Sequence, residues 1–171
     1  PALLLALLRR GDMKSALVFT RTKHRANRVA DWLARQGVKA AKIHGNRSQN
    51  QRTQALAGFK SGKVRVLVAT DIVARGIDVE ALEHVVNFDV PHVPEDYIHR
   101  VGRTARADAT GEAFTLVSPE EEKSLVRIER QISELSASLL PGHPRMQQMN
   151  ADLAGLKKQL TSEIAKLVDS L

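Results

Sequence analysis

The chain has 171 residues, and 43% of them are apolar, which is enough for a domain with its own core. It carries no cysteine, which excludes disulfides, thiolate metal sites and a cysteine nucleophile, and no apolar run approaches the about 18 to 20 residues of a membrane span. A formal net charge of +7 at pH 7 points to a polyanionic partner, either nucleic acid, a nucleotide or an anionic membrane.

Apolar runs and amphipathic stretches alternate along the chain. In chain order we predict a helix over 2–10, a strand over 15–20, a helix over 23–36, a strand over 38–43, a helix over 49–60 and a strand over 64–69. There follow a loop or short helix over 70–78, a strand over 85–88, a helix that starts at 94, a strand over 112–117 and a helix that ends near 132. Thr22 is a candidate helix cap, and Ser48 with Gln51 and Ser118 with Glu121 form two capping boxes.

This order of elements predicts the fold class. Short connections join strands and helices alternately, which is typical of an α/β fold with three layers, where helices cover both faces of a mostly parallel sheet. The predicted strand over 15–20 is apolar without alternation, as expected for a strand that is buried on both faces, and we predict the strand over 64–69 to be buried as well. In such sheets ligands bind at the carboxyl ends of the strands, so we expect the functional residues there.

Arginines recur at every third position in the helix that starts at 94, at Arg100, Arg103 and Arg106. If the helix continues to Arg106, it spreads the three guanidinium groups across one exposed face. The opposite face, predicted to pack inward, carries Ile98, Val101 and Ala105. Guanidinium is always charged, and its planar fork fits two phosphate oxygens at once. The pattern alone leaves two interpretations open, a solvated basic helix or arginine fingers that stabilise a transferring phosphoryl group.

The sequence changes character after Ile132. Residues 133–145 are rich in Ser, Pro and Gly, which predicts a linker between a domain over 1–132 and a tail over 146–171. Apolar residues recur every three or four positions from Met146 to Leu171, which predicts a long amphipathic helical extension. Such a helix is marginal alone in water, so it must pack on a second copy of the chain, on its own domain or on another partner.

Four motifs occur in one order along the chain. They are Leu17-Val-Phe-Thr-Arg-Thr-Lys23, His44-Gly45 followed by Gln49-Asn-Gln-Arg52, Val68-Ala-Thr-Asp71 with Ala74-Arg-Gly-Ile-Asp78, and the stretch His99 to Arg106. With these motifs the sequence resembles the C-terminal RecA-like domain of DEAD-box RNA helicases, most closely the bacterial RhlE type, over about residues 2–132. Ala105 departs from the Gly that is usual in the last motif. The sequence contains neither a GxxxxGK[ST] phosphate loop nor Asp-Glu-Ala-Asp, which belong to the first domain of that family.

The resemblance implies a nucleotide site. Arg103 and Arg106 resemble the catalytic pair that reaches across the domain cleft to the γ-phosphate of ATP. Asp78 resembles the acid that accepts a hydrogen bond from the ribose, although it is also a candidate helix cap. Arg75 and Gly76 belong to the same motif and are implied to join this site.

A second implied set links the nucleotide to the partner domain. This interdomain network consists of His99, Arg100 and Asp71. For His99, a purely structural hydrogen-bonding role stays open.

The resemblance also implies contacts with RNA phosphates at Thr22, Gly45, Arg52 and Thr70. Hydroxyls, backbone amides and an arginine can hold a sugar-phosphate chain without reading bases, so such a surface binds any sequence. Contacts with the 2′-OH would favour RNA. Arg52 is also compatible with an ordinary surface charge, and we expect His44 to be structural.

Together these assignments imply the second motor domain of an ATP-dependent RNA helicase, a hydrolase that unwinds RNA duplexes. The implied cofactors are ATP and Mg²⁺, the latter held by the N-terminal RecA-like domain of the same protein, so we expect the chain alone to be inactive. The histidines lack metal-ligand spacing, so no metal site is predicted. The rival functions are a standalone RNA-binding or assembly module and a DNA-directed motor.

The expected partners follow from the same assignments. They are RNA, bound through its backbone, and the N-terminal RecA-like domain of the same protein. A homodimer through 146–171 is a further option, and no membrane partner is expected. The absence of cysteine fits a cytoplasmic protein.

Overall fold

The computed structural model describes residues 1–74, 82–104 and 111–138. Its elements are α1 (Ala2–Leu8), β1 (Ala16–Thr20), α2 (Lys23–Arg35), β2 (Ala40–Ile43), α3 (Gln49–Lys60), β3 (Val66–Thr70), α4 (Asp71–Ala74), β4 (His84–Asn87), α5 (Pro94–Val101), β5 (Glu112–Thr115) and α6 (Glu122–Ser138), with a 3₁₀ turn over Pro119–Glu121 before α6. The alternation of strands and helices is the one predicted. None of the helices in these ranges is long and apolar enough to cross a membrane.

The five strands form one sheet in the order β2-β3-β1-β4-β5, and every pairing among them is parallel. Thr20 pairs with Thr70, and Ile43 pairs with Ala69. The carboxyl ends of β1, β3 and β2 therefore lie side by side at one edge. This sheet confirms the predicted α/β fold of the RecA-like type.

Helices cover both faces of the sheet, as a three-layer fold requires. On one face, α1 and α2 pack against strand residues that include Val18 and Val68. On the other face, Phe59 of α3 and Val73 of α4 pack against residues that include Leu67. Successive residues of a strand point to opposite faces, so β1 and β3 are buried along their whole length. This burial explains why their sequences show no polar alternation.

The predicted caps fix where two loops become helices. Thr22 Oγ1 accepts the N–H of Arg25 at 3.1 Å and starts α2. Ser48 Oγ accepts the N–H of Gln51 at 3.3 Å, while the Gln51 side chain accepts the N–H of Ser48 at 3.1 Å. Each bond satisfies an amide that the helix itself leaves without a partner. Gly37 follows α2 with a φ of 79°, a conformation that favours glycine.

The predicted extension of the arginine helix to Arg106 is wrong. α5 ends at Val101, and Gly102 occupies its C-cap. Beyond that point the carbonyl of Arg103 accepts the N–H of Leu82 at 3.1 Å, and Leu82 and Thr104 form a parallel bridge. The backbone leaves the helix to pair with the segment that enters β4. Arg100 and Arg103 therefore do not lie on the same helix.

The last helix is longer than predicted. α6 runs to Ser138, so 133–138, the first part of the predicted linker, is helical. An ion pair of 2.9 Å between Arg130 and Glu134, one helical turn apart, spans the predicted boundary. The sheet and its covering helices form one compact unit over Pro1–Ser124, and a second unit begins at Leu125. The remainder of the linker and the tail over 146–171 lie outside the described residues.

Candidate functional site

Four neighbouring strands bring candidate site residues to one edge of the sheet. Gly45 follows β2, Thr70 ends β3, Thr22 follows β1 and Asp89 follows β4. Neighbouring strands lie about 4.8 Å apart, so the four residues form a continuous row at the carboxyl ends of the strands. Three of them were predicted to contact RNA, and the edge is the one that the fold class predicts for ligands.

Side chains of α2 hold the loop that follows β2. Nε2 of His44 lies 2.9 Å from Oδ1 of Asn27, and Lys23 Nζ donates to Asn46 Oδ1 at 3.1 Å. His44 is only 2% exposed, in keeping with the structural role expected for it. The two contacts join the loop to the start of α2 and so fix its position along the row.

This end of the row is electropositive. Burial lowers the pKa of His44, and neighbouring positive charges lower that pKa further. The charges that act on it are, in order of effect, Arg47, Lys42, Lys23 and His24. Arg47 and Arg52 are half-buried, and the Nε of each is buried without a hydrogen-bond partner in the described part of the chain. The permanent charges of Arg47 and Arg52 add to the positive potential at this end of the row, which favours an anionic ligand.

The predicted RNA residues differ in accessibility. Thr22 is exposed, and its oxygen already accepts the N–H of Arg25, so its hydroxyl proton is available to an acceptor. Gly45 is exposed, with open space where a side chain would project. Arg52 lies in the first turn of α3. Thr70 is only 8% exposed, so it is the least accessible of the four.

Arg100 is buried at the centre of the site, with 1% of its surface exposed. Its Nε and Nη2 donate to the two carboxylate oxygens of Asp71 at 2.6 and 2.8 Å. Its Nη1 donates to the carbonyl of Asp89 at 2.7 Å and to Oδ1 of Asn87 at 3.3 Å. The guanidinium also lies 5.3 Å from the centre of the Phe19 ring. The structure thus brings Asp71 and Arg100 together within this domain.

The predicted faces of α5 are wrong. Pro94, Tyr97 and Arg100 are its buried residues, whereas Ile98 and Val101 are half-buried. Arg100 points inward because acceptors from Asp71, Asn87 and Asp89 compensate its buried charge. His99 is exposed on the same helix.

The structure separates Arg103 from the row at the carboxyl edge. Its backbone lies beside Leu82, which precedes β4, whereas the row follows the strands. Arg103 is half-buried, which leaves part of the residue accessible to a ligand. The other residues predicted for the nucleotide, which are Arg75, Gly76, Asp78 and Arg106, lie outside the described residues.

Comparison with known proteins identifies the domain. Residues 1–108 match the sequence model of the helicase conserved C-terminal domain. Over 115 residues the chain is 50% identical to the DEAD-box ATP-dependent RNA helicase CshA of Geobacillus kaustophilus. The aligned segment covers 67% of this chain and 25% of CshA. The chain belongs to the C-terminal domain family of DEAD-box helicases. It spans only a quarter of the length of that relative.

Solved structures share the fold of this helicase domain. The Escherichia coli DEAD-box protein SrmB, in a complex with regulator of ribonuclease activity A, matches with a TM-score of 0.72 and 39% identity, over 76% of both chains. Saccharomyces cerevisiae Dbp5 bound to RNA and ADP BeF3 matches with a TM-score of 0.69 and 31% identity, over 75% of this chain and 35% of Dbp5. The family prediction is confirmed, while the RhlE subtype stays a prediction.

Sequence reasoning missed three residues of the site in this helicase domain, which are Asp89, Asn27 and Arg47. For Asp89 a signal was available, because it follows an apolar strand just as Asp71 does. Asn27 gave no signal, since its partner His44 is 17 positions away along the chain. In the described parts of the chain, no group of three or more His, Cys, Asp or Glu side chains could hold a metal ion.

Proposed function

We propose that this helicase domain is the second motor domain of an ATP-dependent RNA helicase, in which it supplies contacts to the RNA backbone and arginine fingers. The observation that carries the proposal is the row of Gly45, Thr70 and Thr22 at the ends of three neighbouring strands. Arg47 in the loop after β2 and Arg52 in the first turn of α3 add positive charge. Hydroxyls and amides in a row, flanked by cations, suit a sugar-phosphate chain.

In the proposed RNA contact, we assign a role to each of these groups. Thr22 donates its hydroxyl proton to a phosphate oxygen, and Gly45, which is exposed and has open space where a side chain would project, offers its backbone amide. Arg52 supplies charge from the first turn of α3, and Arg47 supplies it from the loop before that helix. None of these groups reads a base, so binding is independent of sequence. The similarity to Dbp5 in its complex with RNA and ADP BeF3 supports this assignment.

On the nucleotide side, we assign Arg103 and Arg106 to the γ-phosphate, Asp78 to the ribose, and Arg75 and Gly76 to the same site. These assignments rest on the family resemblance. The guanidinium of Arg103 fits a triphosphate through its permanent charge and planar set of donors. ATP supplies the phosphoryl group, and Mg²⁺ would be held by the N-terminal RecA-like domain.

Closure of the two domains would couple these sites. It would bring Arg103 to the γ-phosphate, where its charge stabilises the transferring phosphoryl group. The same movement would bend the bound RNA strand and separate a short duplex. We assign His99, which is exposed on α5, to a contact with the partner domain, while the pair of Asp71 and Arg100 holds α5 against the end of β3.

The test begins with the chain alone, which we expect to bind RNA weakly and to hydrolyse no ATP. Fluorescence anisotropy of a labelled single-stranded RNA, at several stated salt concentrations, measures the binding. Unlabelled RNA and DNA of the same sequence serve as competitors. Stronger competition by RNA supports the proposal, and stronger competition by DNA would favour a DNA-directed motor. Magnesium-dependent ATP hydrolysis by a clean preparation would overturn the division of labour between the two domains.

For the tail over 146–171, we propose a helix that pairs two copies of the chain in the cytoplasm. Light scattering gives the molar mass of the full chain and of a version that ends at Ser138, the last residue of α6. A dimer for the full chain and a monomer for the shorter version supports this role. Two monomers would contradict it and favour packing on the domain itself or on another partner.

A further inference from the structure

Asp89 carries a carboxylate that the RNA and nucleotide assignments do not use. It follows β4 at the same edge of the sheet as the RNA row, and its surface exposure is 0%. Removing a carboxylate from water is costly unless hydrogen bonds and an opposite charge compensate for it. The partners of Asp89 therefore indicate what the buried charge is for.

Both partners of the Asp89 side chain belong to the turn that starts α2. Its Oδ2 accepts the backbone N–H of Arg21 at 3.0 Å, and its Oδ1 lies 2.9 Å from Nε of Arg25. Arg21 directly precedes Thr22, and the N–H of Arg25 is the amide that Thr22 Oγ1 caps at 3.1 Å. The carboxylate thus holds the turn on both sides of Thr22.

The backbone of Asp89 is fixed from the other direction. Its carbonyl accepts a hydrogen bond of 2.7 Å from Nη1 of Arg100, which is itself bound to Asp71. Asp89 therefore contacts the buried ion pair through its main chain and the Thr22 turn through its side chain. A surface carboxylate with the same partners would be free to move, whereas this one is held at both ends.

We propose that Asp89 is a positioning residue, which holds the Thr22 turn in the geometry that binds an RNA phosphate. This inference rests on the proposed RNA contact at Thr22. The competing explanation is that Asp89 only stabilises the fold. In that case its loss would affect the whole domain and not the Thr22 turn in particular.

The first experiment needs no RNA. Amide hydrogen exchange is measured in the 171-residue chain and in the Asp89→Ala and Asp89→Asn variants. We expect Asp89→Ala to speed exchange at the amides of Arg21 and Arg25. The amide of Gln51 is the control, because a cap of the same type protects it at the start of α3. Equal acceleration at Gln51 would overturn the proposal in favour of a general role in stability.

The Asn variant tests the chemistry of the contact. An asparagine at this position still offers one oxygen to the N–H of Arg21 but carries no charge for Arg25. We expect Asp89→Asn to restore protection at the backbone amide of Arg21. The backbone amide of Arg25 should stay less protected than in the wild type, because the Arg25 side chain has lost the ion pair that holds the turn. Loss of protection at Arg21 in both variants to the same degree would contradict the assigned hydrogen bond.

The second experiment measures RNA affinity in a double-mutant cycle with Thr22→Ala. We expect Asp89→Ala to weaken binding about tenfold in the wild-type background and to have little further effect once Thr22 is gone. Equal losses in the two backgrounds would overturn the proposal. If the wild-type chain binds no RNA, the proposed function fails, and the exchange result alone would then limit Asp89 to holding the turn.

Discussion

Arg100 and Asp71 form a bidentate ion pair that joins α5 to the end of β3. Nε and Nη2 of Arg100 donate to Oδ1 and Oδ2 of Asp71 at 2.6 and 2.8 Å. The Arg100 side chain is 1% exposed, whereas that of Asp71 is 19% exposed. The pair therefore holds the guanidinium of Arg100 inside the domain, while part of the Asp71 carboxylate stays exposed to solvent.

The buried pair should contribute strongly to stability. Asp71→Ala leaves the charge of Arg100 buried without its carboxylate, so we expect the free energy of unfolding to fall by about 3 to 5 kcal/mol. Urea unfolding measures the change. Glu134→Ala is the matched control, because it breaks an exposed pair with Arg130 that is worth about 0.5 kcal/mol or less. Equal losses in the two variants would show that burial of Arg100 has no energetic consequence.

Arg47 and Arg52 should contribute to RNA affinity through charge. We expect Arg47→Gln and Arg52→Gln each to weaken binding to every RNA sequence alike and to lower the salt slope by about one unit. Anisotropy titrations at several salt concentrations give both quantities. Arg35→Gln removes the same charge from an exposed position in the last turn of α2 and is the control. If all three variants lose the same affinity, the effect is one of net charge and not of a site.

Arg103 should act on ATP turnover and not on RNA binding. The chain can be fused behind the N-terminal part of CshA from Geobacillus kaustophilus, the relative to which it is 50% identical. In an active chimera we expect Arg103→Lys to lower kcat by about a thousandfold, because the planar set of donors is lost. Steady-state ATP hydrolysis with saturating RNA measures it, again with Arg35→Gln as the control. An unchanged kcat would favour the standalone RNA-binding module.

The stability of the domain should depend on pH through His44. Its pKa is lowered in the folded state from an ordinary value of 6.5, first by burial and then by the charges around it. The unfolded chain therefore binds this proton more readily than the folded domain does. Stability is present in full above pH 6.5 and falls as the pH drops towards the lowered pKa. Urea unfolding between pH 7.5 and about 5 should show this slope.

The control for that measurement is His44→Gln, which removes the titrating group. We expect the variant to be less stable at neutral pH, because its contact with Asn27 is altered. The part of the slope that His44 causes should disappear. An equally steep slope in the variant would assign the pH dependence to another group.

Features that depend on a few neighbouring residues were predicted well. The caps at Thr22 and Ser48 were predicted, as was the stripe of α2 whose residues Ala26, Val29, Ala30 and Leu33 are all buried. The strands were located to within about two residues. The position of the candidate residues Gly45, Thr22 and Thr70 at the carboxyl edge followed from the parallel order of the strands. Each of these signals lies within a short window of sequence.

The errors concern the ends of α5 and α6, which the local sequence pattern placed wrongly. The spacing of three predicted one helical row of arginines, but Arg103 lies beyond the helix because its backbone pairs with Leu82. The small and polar residues after Ile132 predicted a linker, yet α6 continues to Ser138. The local sequence around Arg103 does not show that its backbone pairs with Leu82. The composition of 133–138 likewise does not show that α6 continues through it.

The order of the elements, the parallel fold and the helicase motifs could be predicted from the sequence, because they depend on local pattern and on residues that stay together along the chain. The role of Arg100 could not be predicted in this way and is known only from the folded domain. A surface position and a buried one have the same local sequence, and the acceptors that draw this arginine inward come from Asp71 and Asp89, 29 and 11 positions away. A buried charge is stable only where folding assembles such acceptors around it, so its place becomes fixed when the sheet brings the ends of β3 and β4 together.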